Sequence, residues 1–262
     1  MTGRISGKTV FVTGGASGIG RATVRRMIAE EAQVVIADID EDRAKALADE
    51  LGRDAMALRL DVSSEPSWVQ GMKDTLAWAG RLDVVCNIAG IGRGGTIEDT
   101  ALEDWDAMIA VNLTGTMLGC KHGVRTIASS GGSGAIINMS SIGGLVGPAD
   151  IAGYNATKGG VTILTKSVAL HCAQRGYPIR CISIHPTFVD SEMLDPVAAA
   201  AGVTRQVLTG AMAKLVPMGR VATPDDVASA VLFAASDEAS MISGSAIIVD
   251  GAQLAGPPGA HF

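Results

Sequence analysis

The stretch KTVFVTGGASGIG, residues 8–20, reads as a short buried strand that breaks into a glycine-rich turn. An amphipathic run from Arg21 to Glu30 follows it. Strand, glycine turn and helix is the setting in which a chain cradles a dinucleotide. Gly14 allows the tight turn, Gly18 lets the backbone approach a pyrophosphate, and Gly20 lets the helix pack close to the strand. The helix start offers unpaired N–H groups and a positive dipole end to phosphates. The spacing is G-x-x-x-G-x-G, a variant of the commoner G-x-G-x-x-G.

Outward from this turn, QVVIAD ends a second apolar strand at Asp38, eighteen residues past Gly20. An acidic residue at that distance bonds a ribose 2′-hydroxyl and repels a 2′-phosphate. Ser17 and Ile39 supply no basic side chain for such a phosphate, so the sequence favours NAD over NADP. Asp38 could instead cap the run EDRAKALADEL, but its place at a strand end favours the ribose. Further strands are expected near 55–60, 82–88, 134–140, 179–184 and 246–250. Helices are expected near 18–30, 41–51, 65–79, 102–128, 154–175 and 224–236. Apolar strands alternating with helices predict an α/β, doubly wound parallel sheet of about seven strands, with helices on both faces. Its ligand belongs at the strand carboxyl ends, at the topological switch point.

A length of 262 residues fits one domain, spanning 1–262, and no repeat or low-complexity segment divides it. A formal charge of −6 offers no surface for nucleic acid. With no membrane-length apolar run and no leader-like N-terminus, a cytoplasmic protein is expected. Four cysteines are scattered without a C-x-x-C, and Cys86 and Cys181 fall in strand-like runs as buried thiols. The four histidines show no metal-ligand spacing, so no metal is expected. His185, just before Pro186 at a strand end, reads as structural.

The second constellation is YNATK at 154–158, with Ser141 thirteen residues upstream of Tyr154. On a helix, Tyr154 and Lys158 share a face. Bringing a phenol from a pKa near 10 towards 7 takes roughly 4 kcal/mol. A cation at about 4 Å supplies that much at an effective dielectric near 20. Lys158 is therefore expected to lower the Tyr154 pKa, with Ser141 holding a carbonyl or alcohol oxygen. The set is a general acid/base for secondary-alcohol and ketone chemistry.

With TGGASGIG, Asp38, NIAG at 87–90, Asn112, Ser141 and YNATK in this order, the chain resembles the short-chain dehydrogenase/reductase family from about Ser6 to Gly251. The resemblance implies a Rossmann-type single domain with a catalytic tetrad of Asn112, Ser141, Tyr154 and Lys158. Asn112 would bind a water joining Lys158 to solvent, and Lys158 would hold the nicotinamide ribose. Gly14, Ser17, Gly18, Ile19 and Gly20 would frame the pyrophosphate, and Asp61 and Val62 the adenine. Asn87, Ala89 and Gly90 would border the cofactor. Pro186, Val189 and Ser191 would meet the carboxamide end, alongside Tyr154 and Lys158. Three positions depart from the family pattern: Ile88, Thr187 where a glycine is usual, and Ala252. Thr187 is expected to narrow the pocket or alter its mouth.

Residues 61–68, 175–186 and 235–245 are further similar to bacterial 3β/17β-hydroxysteroid dehydrogenases and to cyclic-alcohol dehydrogenases. Residues 190–217, rich in Ala, Met and Leu, read as a mobile lid over the substrate. Met193, Leu194 and Met212, with Val197, Leu208 and Leu215, are expected to give it an apolar wall. The expected activity is NAD-dependent interconversion of a bulky apolar secondary alcohol and its ketone, such as a hydroxysteroid. Alternatives are a cyclic or aryl alcohol, a 3-oxoacyl thioester, or a non-catalytic NAD sensor. The resemblance also implies a homotetramer, and the tail GPPGAHF at 256–262 could reach a neighbouring subunit.

Overall fold

A computed structural model describes residues 3–130 and 132–256. The expectation for the tail from Pro257 onward lies outside the described residues. The strands are β1 (Thr9–Thr13), β2 (Gln33–Asp38), β3 (Ala55–Arg59), β4 (Val84–Asn87), β5 (Gly134–Met139), β6 (Ile179–Pro186) and β7 (Ala246–Val249). They form one sheet in the order β3-β2-β1-β4-β5-β6-β7, every pair parallel. The helices are α1 (Gly18–Ala29), α2 (Glu41–Leu51), α3 (Glu65–Ala79), α4 (Leu102–Met108), α5 (Gly115–Ser129), α6 (Ala152–Gln174), α7 (Asp195–Ala200), α8 (Arg205–Ala213) and α9 (Pro224–Ala235).

Alternation along each strand divides the core in two. Val10, Val12, Val34 and Ile36 face Val24 and Met27 of α1 and Val227 and Val231 of α9. Phe11, Val35, Val85 and Ile136 face Trp68 and Met72 of α3 and Leu118 and Ile127 of α5. Phe11 and Trp68 stack with ring centroids 5.6 Å apart. A strand buried on both faces has no polar side to show, which is why β1 reads as an unbroken apolar run. The chain winds outward from β1 to β3, then returns to place β4 on the other side of β1. The switch point lies between β1 and β4.

Two elements differ from expectation. The single helix predicted over 102–128 is α4 and α5 joined by a π-helical turn, Ile109–Thr114. The Gly115 N–H donates to the Ala110 carbonyl, five residues back. The wider turn carries Asn112, fully buried, whose side chain bonds Ile91 and Thr157. One inserted residue scarcely disturbs an apolar period, so the break is invisible to periodicity. The strand predicted to end at residue 184 runs on to Pro186, because β7 pairs with His185 and Pro186. In the segment 190–217, a 3₁₀ turn at Glu192–Leu194 precedes α7 and α8. No described helix is long and apolar enough to cross a membrane.

Candidate active site

The crevice between the ends of β1 and β4 is built by close backbone approach. Gly14 has φ +64°, and a Cβ there would lie 2.9 Å from the Ala89 Cα. A Cβ on Gly20 would meet the Gly14 carbonyl oxygen at 1.9 Å, so α1 can start this near the turn only with glycine. The Thr13 hydroxyl accepts from the N–H groups of Ile88 (3.0 Å) and Ala89 (3.1 Å), stitching the two strand ends together. The Asp38 carboxylate accepts from the N–H of Ala16 in the turn (3.0 Å) and from that of Asp40 (3.0 Å). It is thereby fixed at the end of β2. Asp61 lies just beyond β3, its carboxylate bonded to Ser63, and Val62 is buried beside Gly115. Asn87 is 3% exposed and donates to the Asn138 side chain opposite it on β5 (2.8 Å). A Cβ on Gly90 would stand 3.5 Å from the Lys158 Nζ. Pro186 ends β6, Val189 bridges to Ala222, and the Ser191 Cβ lies 3.4 Å from where a Cβ on Gly18 would be. Every strand runs the same way, so all these positions share one edge of the sheet. Its glycine cradle, its helix start at Ser17, Gly18 and Ile19, and its fixed carboxylate suit the pyrophosphate and ribose of a dinucleotide.

On the β5 side of this edge, Ser140 and Ser141 part company. The Ser140 hydroxyl turns inward to the Lys158 carbonyl (2.9 Å), while the Ser141 Oγ caps a short turn by accepting from the Gly143 N–H (3.1 Å). The Ser141 side chain acts on the Tyr154 phenol, working to lower its pKa. Lys158 is 3% exposed; its Nζ donates to the Met139 carbonyl (2.8 Å) and lies 5.5 Å from the Tyr154 ring centroid. The Asn112 Nδ2 donates to the Thr157 hydroxyl (3.2 Å), joining the π turn to α6. The four residues of the expected tetrad therefore lie together. The electrostatics correct one expectation. Burial pushes the Tyr154 phenol above its ordinary value, opposed only by the Ser141 side chain. Burial also draws Lys158 down to about 8. The ammonium is held on a carbonyl beneath the ring, so desolvation outweighs the attraction that the spacing alone suggests.

The chain matches, over residues 14–252, a family model described as enoyl-(acyl carrier protein) reductase. It is 39% identical to a 3-beta-hydroxysteroid dehydrogenase of Comamonas testosteroni, over 97% of this chain and 98% of that protein. A 3-alpha-(or 20-beta)-hydroxysteroid dehydrogenase of Mycobacterium bovis is 41% identical, over 98% of this chain and 93% of that protein. An NADP-dependent (R)-specific alcohol dehydrogenase of Lentilactobacillus kefiri is 36% identical, over 97% and 100%. The chain belongs to the short-chain dehydrogenase/reductase family. As such it is an oxidoreductase acting on CH–OH groups, with a nicotinamide cofactor.

Against this family's pattern, the structure shows what Thr187 does in place of glycine. Its hydroxyl donates to the Gln253 side chain and ties the end of β6 to the C-terminal turn. That turn holds Ala252 at φ +71°, a left-handed conformation at the third departure. Sequence reasoning missed Glu192. Its carboxylate accepts from the Gly18 N–H (3.1 Å) and pairs with Arg21 (2.9 Å), joining the segment 190–217 to the start of α1. The signal was Arg21 itself, a cation in the first turn of a helix, where the dipole disfavours it and a counter-charge is wanted. Of the expected wall, Met193 (46%), Val197 (44%) and Leu215 (51%) stand exposed, and Leu194, Leu208 and Met212 are partly buried. The Met193 sulfur lies 3.9 Å from where a Cβ on Gly92 would sit, beside the loop after β4. No residue of α8 is buried.

Proposed function

We propose that this dehydrogenase oxidises a bulky apolar secondary alcohol of the hydroxysteroid class with NAD, and reduces the ketone in reverse. The observation that carries this reading is the grouping of Ser141, Tyr154 and Lys158 at the edge of the crevice, with the Lys158 Nζ 5.5 Å from the Tyr154 ring centroid. Ser141 orients the substrate oxygen and steadies charge on it. Tyr154 takes the hydroxyl proton in oxidation and returns it in reduction. Lys158 holds the cofactor ribose and supplies a cation near the phenol. Asn112 holds a water that passes protons between Lys158 and solvent. In support, Asn112 Oδ1 and Lys158 Nζ both approach the point where a Cβ on Gly90 would lie, at 3.3 and 3.5 Å. The bound nicotinamide supplies the hydride acceptor.

Asp38 sets the preference for NAD, since its carboxylate is pinned by two N–H groups and cannot swing away from a 2′-phosphate. The remaining assignments follow the same crevice. Gly14 to Gly20 take the pyrophosphate, Asp61 and Val62 the adenine, Asn87 to Gly90 the floor, and Pro186, Val189 and Ser191 the carboxamide. Residues 190–217 are the substrate lid of a single domain, with Met193, Leu194 and Met212 turned to an apolar substrate. By family likeness the enzyme assembles as a homotetramer, and the exposed Met117 of α5 and Ile163 and Leu170 of α6 support a covered face.

The test is kcat/KM for a short alkanol, a cyclic alkanol and a hydroxysteroid, each with NAD and NADP. Burial of apolar surface contributes about 25 cal/mol per Å² as an upper bound. A steep rise with size and a preference for NAD are expected. A flat profile, or a maximum at a short polar diol, contradicts the substrate class. A preference for NADP contradicts the role of Asp38.

A further inference from the structure

His185 lies on β6, fully buried, one position past the last residue pair of the β5–β6 ladder, Met139 with Ile184. Its Nδ1 is 2.9 Å from the Ser141 carbonyl oxygen and its Nε2 is 2.8 Å from the Ser183 hydroxyl. A carbonyl only accepts, so Nδ1 carries the proton and the neutral ring accepts from Ser183 at Nε2. Burial, aided by the nearby Lys158 charge, holds the His185 pKa below its ordinary value, in keeping with a neutral ring. Past the ladder the backbone of β5 has no strand partner. The His185 ring takes over there, beside the Gly144 N–H that bonds the same carbonyl (2.9 Å). Two residues earlier the Met139 carbonyl receives Lys158. The Met139 carbonyl thus holds Lys158, and the Ser141 carbonyl two residues on is held by His185.

We infer that His185 is a positioning residue, whose Nδ1–H fixes the Ser141 peptide and so aims the Ser141 hydroxyl at the Tyr154 hydroxyl and the substrate oxygen. This rests on the role proposed for Ser141. Two amides separate the ring's two bonds: the Asn amide reaches the place of Nδ1, and the Gln amide that of Nε2. His185→Asn keeps the donor to Ser141, and Ser183 can turn to the Ser245 carbonyl, 3.5 Å away. His185→Gln keeps the Ser183 partner and loses the Ser141 donor. Both variants disturb core packing alike.

The experiment measures kcat, KM for alcohol, NAD affinity and Tm for both variants, with Ser141→Ala alongside. The expected result is a similar fall in Tm for both and unchanged NAD affinity. His185→Asn should keep kcat within about threefold, and His185→Gln should lose about tenfold, near the worth of one hydrogen bond at ~1.4 kcal/mol per decade. Equal kcat in the two variants, with Ser141→Ala inactive, overturns the positioning role while leaving the proposed function standing. Full activity in Ser141→Ala instead overturns the function of Ser141 itself. Should either variant fail to fold, nitrogen-15 spectra of histidine-labelled wild type decide. The Nδ1–H tautomer at His185 is expected, and the Nε2–H tautomer overturns the inference.

Discussion

Lys158 carries the chief electrostatic strain of the site, a charge kept at 3% exposure with one carbonyl as its bonded partner. Its pKa falls from 10.5 to about 8 on folding because burial disfavours the ammonium. At ~1.36 kcal/mol per unit, keeping the ammonium in place costs on the order of 3 kcal/mol. The unfolded chain binds this proton up to its ordinary pKa, the folded chain only to the lower one. Between the two the unfolded state binds more protons, so stability rises with pH. The stability of wild type relative to Lys158→Met should therefore climb by roughly 3 kcal/mol between about pH 8 and 10.5, read by urea unfolding. A difference that stays flat with pH would show that the ammonium is not buried at this cost. On the role proposed for Lys158, this is a place where function opposes stability.

At the scale of elements, the segment 190–217 is held largely by surface contacts, α8 having no buried residue. Its ion pairs, Glu192 with Arg21 and Arg205 with Asp190 and Asp195, are all partly exposed, so each contributes at most ~1 kcal/mol. Such segments open at low cost, as the lid proposed for 190–217 requires. Met193→Ala or Met212→Ala should raise KM for a hydroxysteroid several-fold and leave KM for a short alkanol unchanged. An equal effect on both substrates would remove these methionines from the apolar wall. The strands, and most of the helices, were legible because burial on both faces leaves an unbroken apolar run and surface helices repeat with their own period. The π turn around Asn112 was not, since a single inserted residue hides within that period. Nor were the bonds from His185 to Ser141 and from Glu192 to Gly18, because they depend on which element lies beside which. Tyr154, Lys158 and Ser141 were legible as a group, but the sign of the Tyr154 shift was not. Spacing gives nearness of charge and says nothing of desolvation.

For the whole molecule, one topological fact organises the rest. A fully parallel sheet that reverses its winding between β1 and β4 delivers Gly14, Asp38, Asn87, Ser141 and His185 to one edge from five different strands or strand ends. Helix α6 then lays Tyr154 and Lys158 across that edge, anchored by Asn155 on the Pro148 carbonyl (2.8 Å). The glycine cradle and the Ser141, Tyr154 and Lys158 group are built by different segments that meet only in the folded chain, so on the proposed roles binding and turnover should be separable. Tyr154→Phe removes one oxygen and leaves the ring, the cradle and Lys158 in place. The decisive measurement is NAD affinity and alcohol-dependent NADH formation in this variant beside wild type. NAD affinity should be retained and turnover should fall by about 10²-fold or more, the span of general acid–base catalysis. Turnover within about tenfold of wild type would contradict Tyr154 as the acid/base.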